Sequence, residues 1–170
     1  MKIRKLTPEN YNKASALLQQ AFPNSNYELK LVENFHKNKI TVTEWVCIHV
    51  NSIIAYIAFS NAYKDRDTCG LHLGPLAVKP EFQNQGIGSE LLRFCLRQET
   101  IKTKTIFVLG NPGFYQKFGF EQSDMPICPF DKNNKHFLSL RNNATEQFTV
   151  GYEAEFSIKK NHGNKKRISK

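Results

Sequence analysis

The stretch PEFQNQGIGSELL, residues 80–92, places two glycines at the entrance of an apolar helix. Glycine destabilises a helix by about 1 kcal/mol relative to alanine, so Gly86 and Gly88 call for an explanation. The first turn of a helix has free backbone N–H groups and a positive dipole end, and glycines let a phosphate approach them. The alternative is that the glycines only let the helix pack closely on a sheet. The two glycines alone do not decide between these explanations.

Two well-known phosphate-binding motifs do not fit this stretch. A Walker loop ends in Gly-Lys-Ser/Thr, and the sequence here is Ile-Gly-Ser at 87–89. The dinucleotide fingerprint needs a third glycine where Leu91 stands and an acidic residue about 20 positions further on, and this sequence has neither. The phosphate-bearing ligand must therefore be of another kind.

The composition describes one domain with a substantial core. The chain has 170 residues, of which 40% are hydrophobic, with 13 Phe and 6 Tyr. No apolar run approaches the length of a membrane span and the N-terminus does not resemble a signal peptide, so we expect a cytoplasmic protein without a membrane partner. The four cysteines form no C-x-x-C pair and the histidines show no ligand spacing. Reduced, mostly buried thiols and no metal site are therefore expected.

The net charge of +9 is concentrated at the C-terminus. Residues 157–170 contain six Lys or Arg and no acid, which leaves 18 basic and 15 acidic residues in the rest of the chain. We interpret residues 1–156 as the domain and residues 157–170 as a basic tail. A solvated tail is favoured over a nucleic-acid contact.

Hydrophobic periodicity and turn signals predict strands and helices in alternation. Helices are predicted from residue 8 to before Pro23, at 27–36, at about 86–98 and after Pro112. Strands are predicted at 2–6, 43–50, 53–60, 71–78, 105–109, from 119, at 136–140 and at 148–156, with a charged loop at 61–69. This order predicts an α/β (α+β) sandwich built on a mixed sheet.

Two segments together resemble the GNAT superfamily of N-acetyltransferases. Residues 73–88, LGPLAVKPEFQNQGIG, are similar to the family's apolar strand, proline-containing turn and Q/R-x-x-G-x-G/A helix start, with Gln83, Gly86 and Gly88 at the motif positions. Residues 108–120, VLGNPGFYQKFGF, are similar to its strand, helix and Y-x-x-F/L-G-F segment. The resemblance covers about residues 2–156 and is closest to small single-domain bacterial members. It implies a mixed central sheet with splayed parallel strands flanked by helices.

The resemblance implies that acetyl-CoA, the acetyl donor, binds in a V-shaped gap between the strands at 71–78 and 105–109. Main-chain groups of three residues would pair with the pantetheine arm like an added strand: Leu76, Ala77 and Val78. Gln83 lies on the approach to the phosphates, and backbone amides would cradle the pyrophosphate at Gln85, Gly86, Ile87, Gly88, Ser89 and Glu90. Asn111 reads as a helix N-cap, and the resemblance adds a contact with the cofactor arm.

Direct acetyl transfer to an amine requires an oxyanion donor, an acid for the leaving thiolate and a route for the amine proton. The resemblance assigns the oxyanion to the N–H of Leu76 and the thiolate proton to Tyr115, whose alternative role is packing in an aromatic cluster. His72 stands where several members carry a glutamate. It is a candidate base, with a structural hydrogen bond or ordered water as alternatives. Glu153 and Glu155 are weaker candidates.

The sequence therefore predicts an acetyl-CoA-dependent N-acetyltransferase. The alternatives are a non-enzymatic acyl-CoA-binding regulatory module on the same fold and a nucleic-acid-binding protein that uses the basic tail. The acceptor, an amine-bearing small molecule or peptide, would bind near residues 22–28 and 125–135, and the resemblance also favours a homodimer. The neighbourhood of these segments holds acids beside aromatic residues, which suits a cationic amine, although surface charge explains them equally well: Glu28, Asp124, Asp131, Phe22, Tyr27 and Phe130.

Overall fold

The computed structural model describes residues 1–158. Residues 159–170, which hold all six basic residues of the predicted tail, lie outside the described part. Within residues 1–158, no helix is long and apolar enough to cross a membrane. The four cysteines are free thiols, and three of them are buried.

The fold consists of one seven-stranded mixed sheet with helices on both faces. The strands are β1 (Lys2–Lys5), β2 (Val42–His49), β3 (Ser52–Lys64), β4 (Asp67–Val78), β5 (Ile106–Leu109), β6 (Glu121–Gln122) and β7 (Phe137–Leu140). The helices are α1 (Tyr11–Ala21), α2 (Tyr27–Lys37), α3 (Ile87–Leu96) and the single turn α4 (Pro112–Tyr115), with 3-10 turns at Pro8–Asn10, Pro80–Phe82, Gln116–Phe118 and Ala154–Ser157. The strand order is β1-β2-β3-β4-β5-β7-β6.

The two faces of the sheet are covered by different helices. On one face, α1 and α2 bury residues such as Leu17 and Phe35 against Tyr56 of β3. On the other face, α3 buries Leu91 and Leu92 in a cluster with residues of β3, β4 and β5. The central strands are apolar on both sides because both sides are covered. The predicted mixed α/β architecture is confirmed.

The predicted charged loop at 61–69 is wrong. β3 and β4 continue as an antiparallel hairpin through this segment, and Lys64 pairs with Asp67 across the turn at Asp65 and Arg66. Asp65 has a positive φ of 55°, which a two-residue hairpin turn of this kind requires. The charged side chains sit at the exposed hairpin tip, so they are compatible with a strand.

The predicted last strand at 148–156 is also wrong. This segment makes only two isolated bridges, Tyr63 with Gly151 and Ile127 with Thr149, and it ends in the 3-10 turn Ala154–Ser157. A further strand would need a free edge of β3. Because β3 is paired with β2 and β4 along most of its length, only its end beyond Ser60 offers such an edge. The apolar residues of the segment alternate, as in a strand, and they pack against the protein without a continuous ladder of backbone hydrogen bonds.

The strands β4 and β5 are parallel neighbours that separate partway. They pair from Leu71 with Ile106 to Leu73 with Val108. β5 ends at Leu109, one residue later, whereas β4 runs on to Val78. A bulge at Gly74 and Pro75 shifts the register of β4 against β3 at this point, and bulges bend the strand that carries them. A gap opens beside the second half of β4.

A substitution of Gly70 tests how closely β4 approaches the segment that leads into β5. A Cβ at this buried position would lie 2.5 Å from the carbonyl oxygen of Thr105. Because that oxygen belongs to the backbone of the segment leading into β5, Gly70→Ala should lower the free energy of unfolding by about 1 to 3 kcal/mol, measured by urea denaturation.

Gly113→Ala is the matched control, because its nearest neighbour is the movable side-chain oxygen of Asn111 at 3.2 Å. Its stability should stay within about 1 kcal/mol of wild type. A Gly70→Ala protein as stable as this control would contradict the described packing.

Candidate active site

The three predicted catalytic residues line one cavity. His72, Leu76 and Tyr115 all contribute to a space of about 690 Å³. Its walls come from β4, the end of β5, α2 and the 3-10 turn Ala154–Ser157. The cavity lies at the place where β4 and β5 separate.

The orientation of the β4 backbone follows from its register with β3. The N–H of Lys79 donates to the carbonyl oxygen of Ile54 at 2.8 Å, and the register continues through Ala77 to Leu76. Hydrogen-bonded pairs alternate along antiparallel strands, so Ala77 bonds with β3 whereas Leu76 and Val78 face the other side. On that side the pairing with β5 has already ended. The N–H of Leu76 therefore points into the gap, where the oxyanion role requires it.

The same register corrects one predicted contact. The main-chain N–H and C=O of Ala77 point towards β3, so they are not available to a ligand in the gap. Only Leu76 and Val78 offer the edge that an added strand would use. The sequence motif alone could not distinguish these three neighbours, because the one-residue bulge at Gly74 and Pro75 sets the alternation.

Tyr115 packs in the aromatic cluster and also lines the wall of the cavity. Its ring is buried and makes edge-on contacts with Phe114 and Phe120, at centroid distances of 4.9 and 5.6 Å. Gly110 permits this placement, since a Cβ there would lie 2.5 Å from the tyrosine ring. Burial raises the pKa of Tyr115 to about 12. Among the described residues the hydroxyl has no hydrogen-bond partner, so a protonated donor is available to a ligand in the cavity.

His72 is buried and held in one tautomer. Its Nε2 lies 3.0 Å from the carbonyl oxygen of Gly151. A carbonyl can only accept, so the neutral ring carries its proton on Nε2 and keeps a lone pair on Nδ1. The ring stacks on Tyr152 at 3.6 Å. Burial lowers the pKa of His72 to about 4, with the hydrogen bond to Gly151 opposing the shift. His72 is neutral at pH 7 and only a weak base.

The two weaker base candidates do not reach the cavity. Glu153 accepts a hydrogen bond from the hydroxyl of Tyr63 at 2.7 Å, and Glu155 accepts one from Asn38 at 3.0 Å. Neither glutamate lines the cavity. Both carboxylates are engaged in local structure because their segment is not the strand that the sequence predicted.

The N-terminus of α3 shows that its two glycines differ. Gly86 is the N-cap with a φ of 80°, and nothing lies within 4 Å of a Cβ built there. Gly88 lies against Val78, whose Cγ2 would be 3.3 Å from such a Cβ. Gly86 thus provides open access to the helix end, and Gly88 brings α3 close to β4. The N–H groups of residues 87–89 have no acceptor within the helix.

The predicted role of the Glu90 amide needs correction. Its N–H donates to the carbonyl oxygen of Gly86 at 2.9 Å, which is the first hydrogen bond of α3. A bound phosphate would have to use the amides before it. Whether the Glu90 amide is free depends on the exact residue at which α3 begins. A sequence rarely predicts a helix boundary to a single residue.

Polar side chains around the gap hold its main chain in place. The side-chain amide of Gln83 donates to the main-chain carbonyl oxygen of Val78 at 3.0 Å. The side-chain amide of Gln85 donates to the main-chain carbonyl oxygen of Glu81 at 2.9 Å. Asn111 caps α4, as predicted, by accepting from the N–H of Gly113 at 2.9 Å. Contacts of these side chains with a cofactor remain predictions. Within residues 1–158, no cluster of His, Cys, Asp and Glu could hold a metal ion.

The acceptor side of the cavity is only partly the one predicted. Of the six residues named from the sequence, four line it: Phe22, Tyr27, Glu28 and Phe130. Asp131 instead accepts from the N–H of His136 at 2.7 Å, and Asp124 lines a separate polar pocket. Tyr152 and residues 156–158 also line the cavity and were not predicted. The available signal was the alternation of apolar residues from 148 to 156, a pattern that is also typical of a strand.

Comparisons with known proteins agree with this architecture. A family model described as an acetyltransferase (GNAT) domain matches residues 41–122. An uncharacterized N-acetyltransferase of Escherichia coli K12, YjhQ, is 38% identical over 72 residues, which cover 40% of this chain and 40% of that protein. The chain is thus matched to less than half of this relative.

Two solved structures resemble the whole fold. The GNAT family N-acetyltransferase YhbS of Escherichia coli, in complex with CoA, superposes with a TM-score of 0.82 at 24% identity, covering 91% of each chain. A GNAT family acetyltransferase of Brucella melitensis, in complex with acetyl-CoA, superposes with a TM-score of 0.76 at 27% identity, covering 91% of this chain and 97% of the other.

The lowered pKa of His72 predicts a pH-dependent stability. The unfolded chain takes up this proton near pH 6.5 and the folded protein only near pH 4. The contribution of His72 is therefore complete above pH 6.5 and is lost as the pH falls towards 4, at a cost of about 3 kcal/mol. Chemical denaturation between pH 7 and pH 4 should show a shallower loss of stability for His72→Gln than for wild type.

Val50→Ala changes an exposed residue that does not titrate, so it is the control and should follow the wild-type slope. Parallel curves for wild type and His72→Gln would mean that His72 is not buried as a neutral ring.

Proposed function

Because the GNAT acetyltransferase domain model matches residues 41–122 and the fold resembles GNAT structures, we propose that the chain is a GNAT N-acetyltransferase. It transfers the acetyl group of acetyl-CoA to a primary amine by direct attack in a ternary complex. One observation carries the proposal. The gap beside β4 connects the N-terminus of α3, where Gly88 touches Val78, with a cavity lined by Leu76 and Tyr115. A phosphate site and a reaction site thus lie at the two ends of one strand edge.

Acetyl-CoA fits the order of groups along this edge. The pyrophosphate would bind the free amides of residues 87–89, at the positive end of α3. The pantetheine arm would pair with the exposed main chain of Val78 and Leu76. The acetyl thioester would then enter the cavity. The solved relatives in complex with CoA and acetyl-CoA support this choice of donor.

The residues of the cavity supply two hydrogen-bond donors for the reaction. The nitrogen of the neutral amine attacks the thioester carbon, and the oxygen that becomes negative is stabilised by the N–H of Leu76. The C–S bond then breaks, and the departing thiolate accepts a hydrogen bond from the Tyr115 hydroxyl or takes its proton, which Tyr115 then regains from water. The amine loses its proton to water. The neutral His72 helps by accepting a hydrogen bond at Nδ1, because its pKa is too low for a strong base.

The main alternative is a non-enzymatic acyl-CoA-binding module on the same fold. The presence of Tyr115 beside an open cavity favours catalysis over it, and CoA release with a panel of amines separates the two. The nucleic-acid alternative depends on residues 159–170, outside the described part. A homodimer and a cytoplasmic location also stay predictions.

Substitution of Gly86 tests the phosphate site. Asn and Asp have the same shape and both tolerate a positive φ, so Gly86→Asn and Gly86→Asp should strain the turn equally. Only the aspartate places a negative charge where the phosphates would bind. Calorimetry should therefore give an acetyl-CoA dissociation constant at least about tenfold higher for Gly86→Asp than for Gly86→Asn. Equal affinities, with both proteins folded, would place the phosphates elsewhere.

Tyr115→Phe tests the acid. The substitution keeps the ring packing and removes a hydroxyl that has no partner among the described residues, so stability should change little. The kcat should fall by about 10²-fold, and the KM for acetyl-CoA should change far less. The measurement is single-turnover transfer to a slowly reacting amine.

Tyr63→Phe is the matched control, because it removes a hydroxyl that bonds to Glu153 outside the cavity. It should leave kcat unchanged. A Tyr115→Phe protein that is as fast as this control would restrict Tyr115 to packing.

A further inference from the structure

We propose that the acceptor is a small primary monoamine with an aromatic or other apolar body, bound in the cavity beside Leu76. This inference rests on the proposed function, because it concerns the second substrate of the same site. Four properties of the cavity support it: the aromatic lining, the polar groups that already bond to the protein, the charge and the size.

One wall of the cavity is a continuous aromatic surface. Phe130, Tyr152 and Phe156 line the cavity, and we call them the aromatic wall. Tyr152 is its centre, with Phe130 at 4.8 Å and Phe156 at 5.0 Å between ring centroids, both edge-on. Burial of an apolar group of similar size against this surface contributes about 1.5 to 3 kcal/mol to the binding free energy of the acceptor. It therefore favours an acceptor with a ring or a branched alkyl group.

The polar atoms around this wall already bond to the protein. The hydroxyl of Tyr27 donates to the carbonyl oxygen of Phe156 at 2.7 Å, and the hydroxyl of Tyr152 lies 3.4 Å from the sulfur of Cys128. His72 uses its Nε2 on Gly151. An acceptor with many hydroxyl groups would leave them without partners here, at a cost of about 1 to 3 kcal/mol for each buried group. Amino sugars are therefore poor acceptors.

The charge of the cavity fits one ammonium group and no anion. Among residues 1–158, Glu28 is the only carboxylate in the lining of the cavity, and no lysine or arginine of this described part lines it. The Glu28 carboxylate accepts a hydrogen bond from Ser25 at 2.7 Å, which orients it. A carboxylate or phosphate on the acceptor would be buried without a counter-charge, and the further ammonium groups of a polyamine would lack one too. Amino acids, nucleotides and polyamines are thus disfavoured.

The size of the cavity favours a small molecule over a peptide. Its volume of about 690 Å³ falls within the range of small-ligand sites, about 300 to 1,000 Å³. The hydrogen bond from Tyr27 to Phe156 joins α2 to the 3-10 turn Ala154–Ser157 and so fixes the distance between two of its walls. The Glu28 carboxylate favours the ammonium form of the acceptor, whereas the apolar surroundings away from Glu28 lower the pKa of the amine and favour the neutral form that attacks.

The test compares amines that differ in one property, with CoA release as the readout. 2-Phenylethylamine and phenylalanine share an aryl body and differ in the carboxylate, and glucosamine, spermidine and a lysine-containing peptide cover the other classes. The kcat/KM for 2-phenylethylamine should exceed that for each of the others by at least about tenfold, as expected from burial of one ring or of one unpaired charge.

Two variants assign the preference to this cavity. Phe130→Ala removes a half-exposed ring of the aromatic wall, so the fold should tolerate it. It should raise the KM for 2-phenylethylamine about tenfold and leave the KM for propylamine and the affinity for acetyl-CoA unchanged. Glu28→Gln should raise the KM for both amines, since it removes the charge and keeps the shape. Val50→Ala, an exposed apolar position outside the cavity, is the control and should change none of these values.

The outcomes separate this inference from the proposed function. Preferred acetylation of glucosamine, spermidine, phenylalanine or the peptide would overturn the inference and leave the acetyltransferase proposal intact. Acetyl-CoA binding by calorimetry, without acetylation of any amine in the panel, would overturn the inference and favour the non-enzymatic module. An absence of acetyl-CoA binding would overturn the proposed function itself.

Discussion

Parallel pairing between β4 and β5 lasts for three residue pairs, and the site depends on its ending. The bulge at Gly74 and Pro75 bends β4 just after Leu73, the last paired residue, while β5 turns into α4 after Leu109. The edge of β4 beyond this point therefore faces open space instead of a neighbouring strand. That edge carries unpaired main-chain groups, leads to the N-terminus of α3 and borders the cavity. If the two strands paired further, β5 would occupy the free edge of β4, the path to the N-terminus of α3 and the space of the cavity.

In the proposed mechanism, desolvation sets the protonation states of the reacting groups, and no strong base is needed. Burial keeps the proton on Tyr115 and keeps His72 neutral, so the first is a donor and the second a weak acceptor. The same desolvation acts on a bound amine and favours its reactive neutral form. The proposed mechanism therefore needs two well-placed donors, the N–H of Leu76 and the hydroxyl of Tyr115, and a short path to water. The apolar lining that selects the acceptor also prepares it for attack.

The sequence predicted the features that depend on local patterns. The cap at Asn111, the helix after Gly86 and the apolar strand of residues 106–109 are set by neighbours in the chain, and the structure contains all three. Of the aromatic wall, the sequence indicated only Phe130. Tyr152 and Phe156 were missed because they are distant from it in the chain and lie in a segment whose alternating apolar residues resemble a strand. Main-chain directions were missed for a similar reason: the register that turns Ala77 towards β3 depends on a partner strand about 20 residues away. Local signals do not contain such information.

The central claim is that the free edge of β4 and the first turn of α3 together bind acetyl-CoA. The most direct test is amide hydrogen exchange, followed residue by residue by NMR with and without acetyl-CoA. The account predicts that exchange slows at Leu76, at Val78 and at residues 87–89 when the cofactor binds, because these amides gain acceptors. Ala77 is the internal control, since its amide already bonds to β3 and its exchange should change least. Unchanged exchange at Leu76 and Val78 in the presence of saturating acetyl-CoA would contradict the account.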